Sequence, residues 1–292
     1  MKTTCLLLIA AFSLFFTNGS FAQSDDPAVN YKAALELVNN NKGVDGIPYL
    51  QKVIKTNSNY TNAAYSLLGS IYDKSNEPQK AIATYKEGLK AFPQDQNLNF
   101  NLGIAYFRDK QYAQAELSAI EAIKIDPKHA NSQRLYGLVT FHQNKRANAL
   151  LAFCNFLLLD PNSDKSDEAV TNMKSILKGG VLKADGAANK LTAADVKENA
   201  KLNAIITASI TSGRAKKLSG DALLEYQLKT IFTQVGQLSA AKSSKNFFDT
   251  FYADYFYKLA QSGNVPLLVK MINTKSTDPA LSNWIAAFEH KY

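Results

Sequence analysis

The sequence is poor in the residues from which catalytic and metal centres are commonly built. Its 292 residues include two cysteines and three histidines, and His129, His142 and His290 lie apart from one another. They fit neither the HExxH pattern nor any His/Cys metal spacing. A phosphate-binding glycine loop, a GxSxG elbow and paired carboxylates for acid–base catalysis are also missing. We therefore expect no catalytic residues, no metal site and no cofactor.

Cysteine is too scarce for disulfide bonds to hold the fold together. Cys5 lies in the N-terminal leader described below, which leaves Cys154 alone in the remaining chain. Its neighbours Phe153, Phe156 and Leu157 are apolar. Cys154 is therefore predicted to act as a small packing residue.

A concentration of charge of one sign is absent as well. The formal net charge is +8, from 33 Lys and Arg against 25 Asp and Glu, but the excess is spread along the chain. The densest basic cluster, Arg214, Lys216 and Lys217, is short. This pattern is typical of a solvated basic surface and argues against a nucleic-acid-binding site. Hydrophobic residues make up 46% of the sequence, which is enough for a folded core.

Apolar runs approaching the length of a membrane span are confined to the N-terminus. Residues 1–22 have the pattern of a secretory signal peptide, because Lys2 precedes an apolar run at 5–16 and Ser20 and Ala22 supply a small-residue cleavage site. The run is short for a membrane span, so we expect cleavage before Gln23 rather than a retained anchor. The sequence thus predicts an exported protein of the periplasm, the cell envelope or the medium that is not an integral membrane protein.

The most informative feature present is a pattern that occurs three times between residues 62 and 163. The first copy contains Tyr65, Leu68, Gly69, Tyr72, Ala81, Tyr85 and Pro93. A shift of 34 residues gives Asn99, Leu102, Gly103, Tyr106, Ala115, Ala119 and Pro127. A second such shift gives Gln133, Tyr136, Gly137, Thr140, Ala149, Phe153 and Pro161. A fixed period of this length predicts a solenoid of helix–turn–helix units.

This pattern resembles the tetratricopeptide (TPR) repeat. Small residues such as Gly103 and Ala115 let the two helices of a unit approach closely, and a proline follows each second helix. Residues 28–61 fit a degenerate first copy, as is common for terminal repeats. The resemblance implies an all-α fold, a TPR-like α-solenoid of about four helix-turn-helix repeats at residues 28–61, 62–95, 96–129 and 130–163.

The rest of the chain is predicted to be helical without this period. Residues 164–180 contain an amphipathic helix that stops at Gly179 and Gly180 and caps the last repeat. After a linker at 181–190, residues 192–292 are predicted to form a C-terminal helical bundle. Its helices are expected near 221–238, 245–261 and 266–272, with a last helix after Asp278. The aromatic stripe of the helix near 245–261 is interpreted as core rather than as a ligand platform.

TPR units present a concave groove lined by their first helices, and a rotation of about 100° per residue locates that face. The predicted partner-binding residues are Lys32 in the first repeat, Asn97, Phe100, Ile104, Phe107 and Arg108 in the third, and Asn131, Arg134, Leu138, Phe141 and His142 in the fourth. In the last two repeats this face is apolar and aromatic, and such a patch normally marks an interaction site. Alternatively, one of the chain's own C-terminal helices covers it.

The resemblance also permits a comparison with TPR domains that clamp the C-terminal carboxylate of chaperones. Lys32 matches one position of that clamp, but Glu36 stands where the clamp has asparagine. A ligand with an acidic C-terminal tail is therefore not expected.

The sequence leads to one functional hypothesis and two alternatives. The hypothesis is a non-catalytic scaffold of the periplasm or cell envelope that binds a protein or peptide in the concave TPR groove. The first alternative is an enzyme or a glycan-handling domain in residues 192–292, with the TPR array as a docking arm. A deep pocket lined by polar groups together with aromatic residues of the 247–257 stretch would favour it, whereas a bundle interior without such an opening would favour the scaffold. The second alternative is a purely structural homo-oligomer.

Overall fold

The computed structural model describes residues 25–180, 193–276 and 278–287. The predicted signal peptide and the predicted linker at 181–190 therefore lie outside the described residues. All regular structure within these ranges is helical, which confirms the predicted all-α class. The chain divides at Thr61 into two compact units, and each is described by itself.

The first unit contains one helix pair, formed by α1 (Pro27–Asn39), a 3-10 turn (Gly43–Gly46) and α2 (Ile47–Lys55). Asp26 caps α1, because its side chain accepts a hydrogen bond of 2.8 Å from the backbone N–H of Ala28. Pro48 stands in the first turn of α2, where a helix tolerates proline because the N–H that proline lacks has no partner there anyway.

The two helices of the first unit approach closely at a glycine. A β-carbon added at Gly46 would lie 3.3 Å from the carbonyl oxygen of Ala34 on α1. Ala34, Leu50 and Val53 are fully buried around this contact. A small residue at the start of α2 therefore sets the separation of the pair.

The second unit begins with three helix pairs. They are α3 (Thr61–Lys74) with α4 (Pro78–Ala91), α5 (Gln96–Arg108) with α6 (Tyr112–Ile125), and α7 (Ala130–His142) with α8 (Arg146–Leu159). Corresponding helices begin 34 or 35 residues apart, which agrees with the period of the sequence pattern. A single helix, α9 (Ser166–Leu177), follows the last pair and packs against α8.

The turn inside each of these pairs uses one backbone conformation. Asn76, Lys110 and Asn144 have positive φ angles of 61°, 58° and 55°, and they too are spaced by 34 residues. Asparagine enters this left-handed region more readily than other residues with a side chain. The spacing of these turn residues is thus a further repeat signal in the sequence.

Repeated glycines allow the helices of two pairs to come together. A β-carbon at Gly69 would lie 2.4 Å from the ring of Tyr85, and one at Gly137 would lie 2.8 Å from the ring of Phe153. Both rings are buried, so each glycine provides the space that a large aromatic side chain fills.

In the middle pair, the glycine faces a residue of the next pair. Ala119 stands at the position of the ring, and a β-carbon at Gly103 would instead meet the Cδ2 methyl group of Leu135 at 2.9 Å. Leu135 belongs to α7, the first helix of the next pair. Gly103 therefore provides the space for close contact between neighbouring repeats.

The C-terminal part contains five helices in the described ranges. They are α10 (Ala193–Ala215), α11 (Gly220–Ala240), α12 (Asp254–Gln261), α13 (Val265–Thr274) and α14 (Pro279–Ala287). The helices predicted near 221–238, 266–272 and after Asp278 are confirmed. The helix predicted near 245–261 differs, because a π turn (Asp249–Ala253) precedes α12. A wider turn of this kind cannot be read from apolar spacing at 3.6 residues.

The aromatic stripe of this last segment is core, as predicted. Phe248, Phe251, Tyr252, Tyr255 and Phe256 are at most 4% exposed. They belong to one apolar cluster that extends from the last helix pairs into the C-terminal helices. The stripe therefore joins the repeats to the bundle.

Helix α8 is buried on every side. Residues 147–158 are all buried, including Asn148 and Asn155. A helix that is apolar all round needs neighbours on all of its faces. Those neighbours are α7, α9, α10 and the π turn. Cys154 lies in this core with its Sγ 3.5 Å from the Sδ of Met173, which confirms its predicted packing role.

One further glycine contact is tighter than those within the repeats. A β-carbon at Gly236 of α11 would lie 2.3 Å from the Cβ of Tyr257 on α12. A Cβ atom moves only with its backbone, so side-chain rotation does not relieve this overlap. By contrast, the methyl group that faces Gly103 lies at the end of a flexible side chain.

We predict that Gly236→Ala lowers the free energy of unfolding most, Gly69→Ala less, and Gly103→Ala least. Overpacking costs about 1–3 kcal/mol, whereas alanine in place of glycine within a helix contributes about 1 kcal/mol in the opposite direction. Urea unfolding followed by circular dichroism measures the order. A Gly103→Ala variant less stable than Gly236→Ala would contradict the packing described here.

Candidate functional site

The predicted groove residues of the second unit lie on two first helices. Asn97, Phe100, Ile104, Phe107 and Arg108 are on α5, and Asn131, Arg134, Leu138, Phe141 and His142 are on or at the end of α7. Lys32 lies on α1 of the first unit, exposed to solvent. The stripe on α5 and α7 without Phe141 is called the groove face below: Asn97, Phe100, Ile104, Phe107, Arg108, Asn131, Arg134, Leu138 and His142.

Aromatic contacts join the α5 and α7 parts of the groove face. The rings of Phe107 and His142 meet edge to face at 5.1 Å between centroids. At the other end, the ring of Phe100 meets that of His129 at 5.0 Å in the same geometry. Tyr112, at the start of α6, stacks on His142 at 5.1 Å. The two helices therefore present one continuous surface.

Polar contacts extend this surface to the neighbouring first helix and to α9. Asn101 donates a hydrogen bond of 2.9 Å to Ser66 on α3, and Arg108 forms an ion pair with Asp73 on the same helix. Arg134 forms an ion pair of 2.9 Å with Glu168 on α9. Each of these contacts joins residues 34 or 35 positions apart. The groove face is thus part of a ladder that runs across α3, α5, α7 and α9.

The members of the groove face differ in their exposure. Asn97 and Asn131 are exposed at its edge, and the Arg108 side chain is 56% exposed. The apolar members are half-buried, because each packs partly against the core. These apolar members are Phe100, Ile104, Phe107 and Leu138. The surface is therefore a shallow apolar strip with polar edges.

Phe141 is the exception among the predicted groove residues. It is 3% exposed and packs edge to face on Phe153 of α8, with 6.5 Å between ring centroids. The expectation that it offers apolar surface to a partner is corrected on this point. Helix α7 is apolar over a wider arc than a single stripe, and the part nearest α8 is taken up by the core.

The two arginines of the groove face already have partners within the chain. The pair of Arg108 with Asp73 and the pair of Arg134 with Glu168 both keep at least one exposed side chain. Exposed pairs of this kind contribute about 0–1 kcal/mol. A carboxylate on a binding partner would therefore have to share each arginine with the chain's own acidic residue or replace that residue.

His129 links the groove face to the start of α7. Its Nδ1 accepts a hydrogen bond of 3.2 Å from the backbone N–H of Ser132, which caps the helix, and the side chain of Gln96 lies 2.8 Å from the same nitrogen. Burial lowers the pKa of His129, although Asp126 nearby acts in the opposite direction. This cap requires a neutral ring, because a protonated Nδ1 cannot accept a hydrogen bond.

The C-terminal helices contact α7 on a different stripe from the groove face. The hydroxyl of Tyr252 donates a hydrogen bond to Oε1 of Gln133, and its ring stacks on Tyr136 at 5.3 Å. Further contacts join α10 to the α7–α8 turn, where Asn203 donates a hydrogen bond of 2.8 Å to the carbonyl of Asn144. These contacts lie outside the groove face, so they do not support the alternative in which a C-terminal helix covers the predicted groove.

A second candidate site lies where the bundle meets the repeats. A cavity of about 320 Å³, partly open to solvent, is lined by residues of α6, α7, α8 and α10 and of the segment before the π turn. It combines polar and aromatic groups, the feature that distinguishes the enzyme or glycan-handling alternative. Its lining comprises Glu116, Leu117, Ile120, Tyr136, Lys145, Asn148, Asp195, Glu198, Asn199, Leu202, Asn246, Phe247 and Phe248.

Sequence reasoning pointed to only part of this cavity. Phe247 and Phe248 belong to the aromatic stretch at 247–257, which the enzyme or glycan-handling alternative places in a pocket. The carboxylates Glu116 and Glu198 come from helices separated by more than two repeat lengths, and no motif links them. Only the docking of α10 beside α6 and α8 brings them to one place.

Comparisons with known proteins agree with the repeat pattern. The sequence profile of the tetratricopeptide repeat family matches residues 31–96 and 67–130. No curated protein matches the chain. Within the described helices none is long and apolar enough to cross a membrane, and no cluster of three metal-binding side chains occurs among the residues with described structure.

Several solved structures are similar to this chain. The first TPR domain of Spaghetti (RPAP3), bound to an HSP90 peptide, is 25% identical over 40% of this chain and 91% of that one, with a TM-score of 0.38. MamA from Desulfovibrio magneticus RS-1 is 21% identical over 48% and 79%, with a TM-score of 0.43. PilF of Pseudomonas aeruginosa is 16% identical over 86% and 97%, with a TM-score of 0.47.

We predict that acid destabilises the second unit through His129. The unfolded chain takes up a proton near the ordinary histidine pKa of about 6.5, whereas the folded ring resists protonation. The contribution of His129 to the free energy of unfolding is therefore complete above that pH. It is lost as the pH falls through the lowered pKa of the folded state. Urea midpoints measured between about pH 8 and about pH 5 report this loss.

The matched variant is His129→Asn, which keeps a capping side chain but does not titrate in this range. It is expected to flatten the dependence of the midpoint on pH. An unchanged slope in this variant would show that other groups are responsible.

Proposed function

Because the chain is a TPR-like helical repeat protein, we propose that it is a non-catalytic scaffold that binds a protein or peptide on the groove face. TPR repeats serve protein–protein interaction, and the family is typically non-catalytic. A helix or an extended segment of the partner would lie along α5 and α7, with apolar side chains against the strip and carboxylates towards Arg108 and Arg134.

The observation that carries this proposal is the continuity of the groove face. Ring contacts join α5 to α7, and ion pairs at the edges hold the helices in register. A rigid strip with half-buried aromatic anchors loses little conformational entropy when a partner binds. Anchors of this kind, with arginine beside them, supply most of the affinity in many interfaces.

We predict that Phe107→Ser abolishes capture of the physiological partner by the immobilised protein. The substitution removes the apolar anchor at the end of the face where α5 meets His142, and far-ultraviolet circular dichroism is expected to remain helical. Val44→Ser is the matched control, because Val44 is a 60% exposed apolar residue of the first unit that lies outside the groove face and outside the cavity lining. Partner capture that survives Phe107→Ser, or that is lost only with Val44→Ser, would place the binding surface elsewhere.

A photo-crosslinking amino acid tests the same proposal without removing a contact. Placed at Asn97 or Asn131, both exposed at the edge of the groove face, it should link to the partner. At Gln114 or Lys124, which are exposed on α6, it should not. The two pairs of positions therefore distinguish the groove face from the opposite side of the repeat.

We also propose that this scaffold works outside the cytoplasm, in the periplasm or cell envelope. The support is the leader at residues 1–22, with its apolar run and its small residues at positions 20 and 22. A partner would then be an envelope or secreted protein, and genomic DNA would not be accessible to it.

We predict that the protein recovered from its own cells begins at Gln23. N-terminal sequencing or intact mass measurement identifies the start, and Ala22→Arg should prevent cleavage because the peptidase requires a small residue there. Recovery of the chain from the cytoplasmic fraction with its leader intact would contradict export.

A further inference from the structure

We propose that the cavity between the repeats and the C-terminal helices binds a small organic cation, an amine that carries an aromatic or apolar group. The cavity is separate from the groove face and does not depend on the scaffold function. Three features support the assignment: its size, its charge and its aromatic wall.

The size and position are those of a small-molecule site. A volume of about 320 Å³ lies at the lower end of the range for ligand pockets, which commonly form where two substructures meet. It corresponds to the space of about ten water molecules. An amine with a single ring fits such a volume, whereas a folded polypeptide segment does not.

The charge of the lining is opposite to that of the whole protein. Glu116, Asp195 and Glu198 contribute three carboxylates, and Lys145 contributes one ammonium group. The complete chain has a formal charge of +8. A locally negative cavity in a basic protein favours a positively charged ligand and disfavours an anion.

The carboxylates are held in place by neighbouring groups. Glu116 pairs with Lys145 at 2.6 Å and accepts a hydrogen bond of 2.8 Å from Gln143. Glu198 forms an ion pair with Lys242, which also contacts Asp249 at 2.7 Å. Because these side chains are already fixed, a cation loses less entropy on binding than it would at mobile surface groups.

Lys242 completes this arrangement from behind the cavity. Burial alone would lower the pKa of Lys242, but hydrogen bonds to Asp249 and Glu198 outweigh that effect and raise it. The ammonium therefore stays charged and pairs with both carboxylates. Asp249 is the first residue of the π turn, and π turns are frequent at functional sites.

Aromatic rings form one wall of the cavity. Phe247 meets Tyr136 edge to face at 5.8 Å and stacks on Phe251 at 5.1 Å, so its orientation is fixed. Burial raises the pKa of Tyr136 well above its ordinary value, and its hydroxyl accepts a hydrogen bond of 3.0 Å from Asn148. A neutral aromatic face attracts a cation, and Phe247 is the ring of this wall that is only partly buried.

The proposal is tested by calorimetric titration of the full chain with 2-phenylethylamine. The neutral isostere 2-phenylethanol and the anionic 3-phenylpropanoate are titrated in parallel. We expect the amine to bind at least about tenfold more tightly than the alcohol and the anion not to bind. Equal affinity for amine and alcohol would overturn the assignment of a cation, and the absence of binding by the amine would overturn the site.

Two variants locate the binding, and one serves as a control. Glu198→Gln should weaken binding of the amine about tenfold and leave binding of the alcohol unchanged. Leu117→Trp should block both, because Leu117 is 65% exposed at the cavity and a larger side chain there fills it without disturbing the core. Glu121→Gln, on the same helix but paired with Lys124 on the surface, should change nothing. Amine binding that survives Leu117→Trp would overturn the proposal.

Discussion

Helix α8 has no polar face, and the arrangement of the second unit follows from the need to cover it. An ordinary repeat helix packs against its partner and its neighbours and leaves a strip for solvent. In α8 the residues from 147 to 158 are all buried, so water has to be excluded from its whole circumference. Helix α9 alone cannot do this, and α10 and the π turn provide the remaining cover. The last two helix pairs and the C-terminal bundle therefore form one core.

This shared core assigns different roles to the two sides of the array. On the side of the first helices, the groove face keeps its apolar strip and its edge of ion pairs. On the side of α6 and α8, the bundle is docked, and imperfect closure at that junction leaves the cavity beside Tyr136 and Phe247. The groove face and the cavity therefore share no residue, so the two proposed ligands would not compete for side chains.

The sequence predicted the fold well because its signals are local and repeated. The positions of Gly69, Gly103 and Gly137 recur with the helix pairs, and an apolar spacing of three and four residues located most C-terminal helices. Proline and glycine marked the ends of these helices. Each of these signals acts within one helix pair, so a single sequence is sufficient to recognise it.

The candidate sites were predicted less completely, for physical reasons. A helical wheel gives Phe141 the same position on α7 that Phe107 has on α5. It does not show the neighbouring helix, which buries Phe141 against Phe153. The ion pairs of Arg108 and Arg134 depend on which repeat stacks next to which. The cavity forms where α10 packs near α6, and no local sequence pattern predicts that packing. Information about contacts between distant segments is what the single sequence lacks.

The hydrogen bond between Gln133 and Tyr252 has a consequence for the order of assembly. In a simple solenoid each repeat contacts only its neighbours, so packing can advance along the chain as it emerges. Here the two bonded residues are 119 positions apart. The fourth repeat reaches its final packing only after the segment around residue 252 is present, and its apolar second helix stays incompletely covered until then. Non-local closure of this kind slows folding, so the last repeat is the part of the array that most needs protection during synthesis.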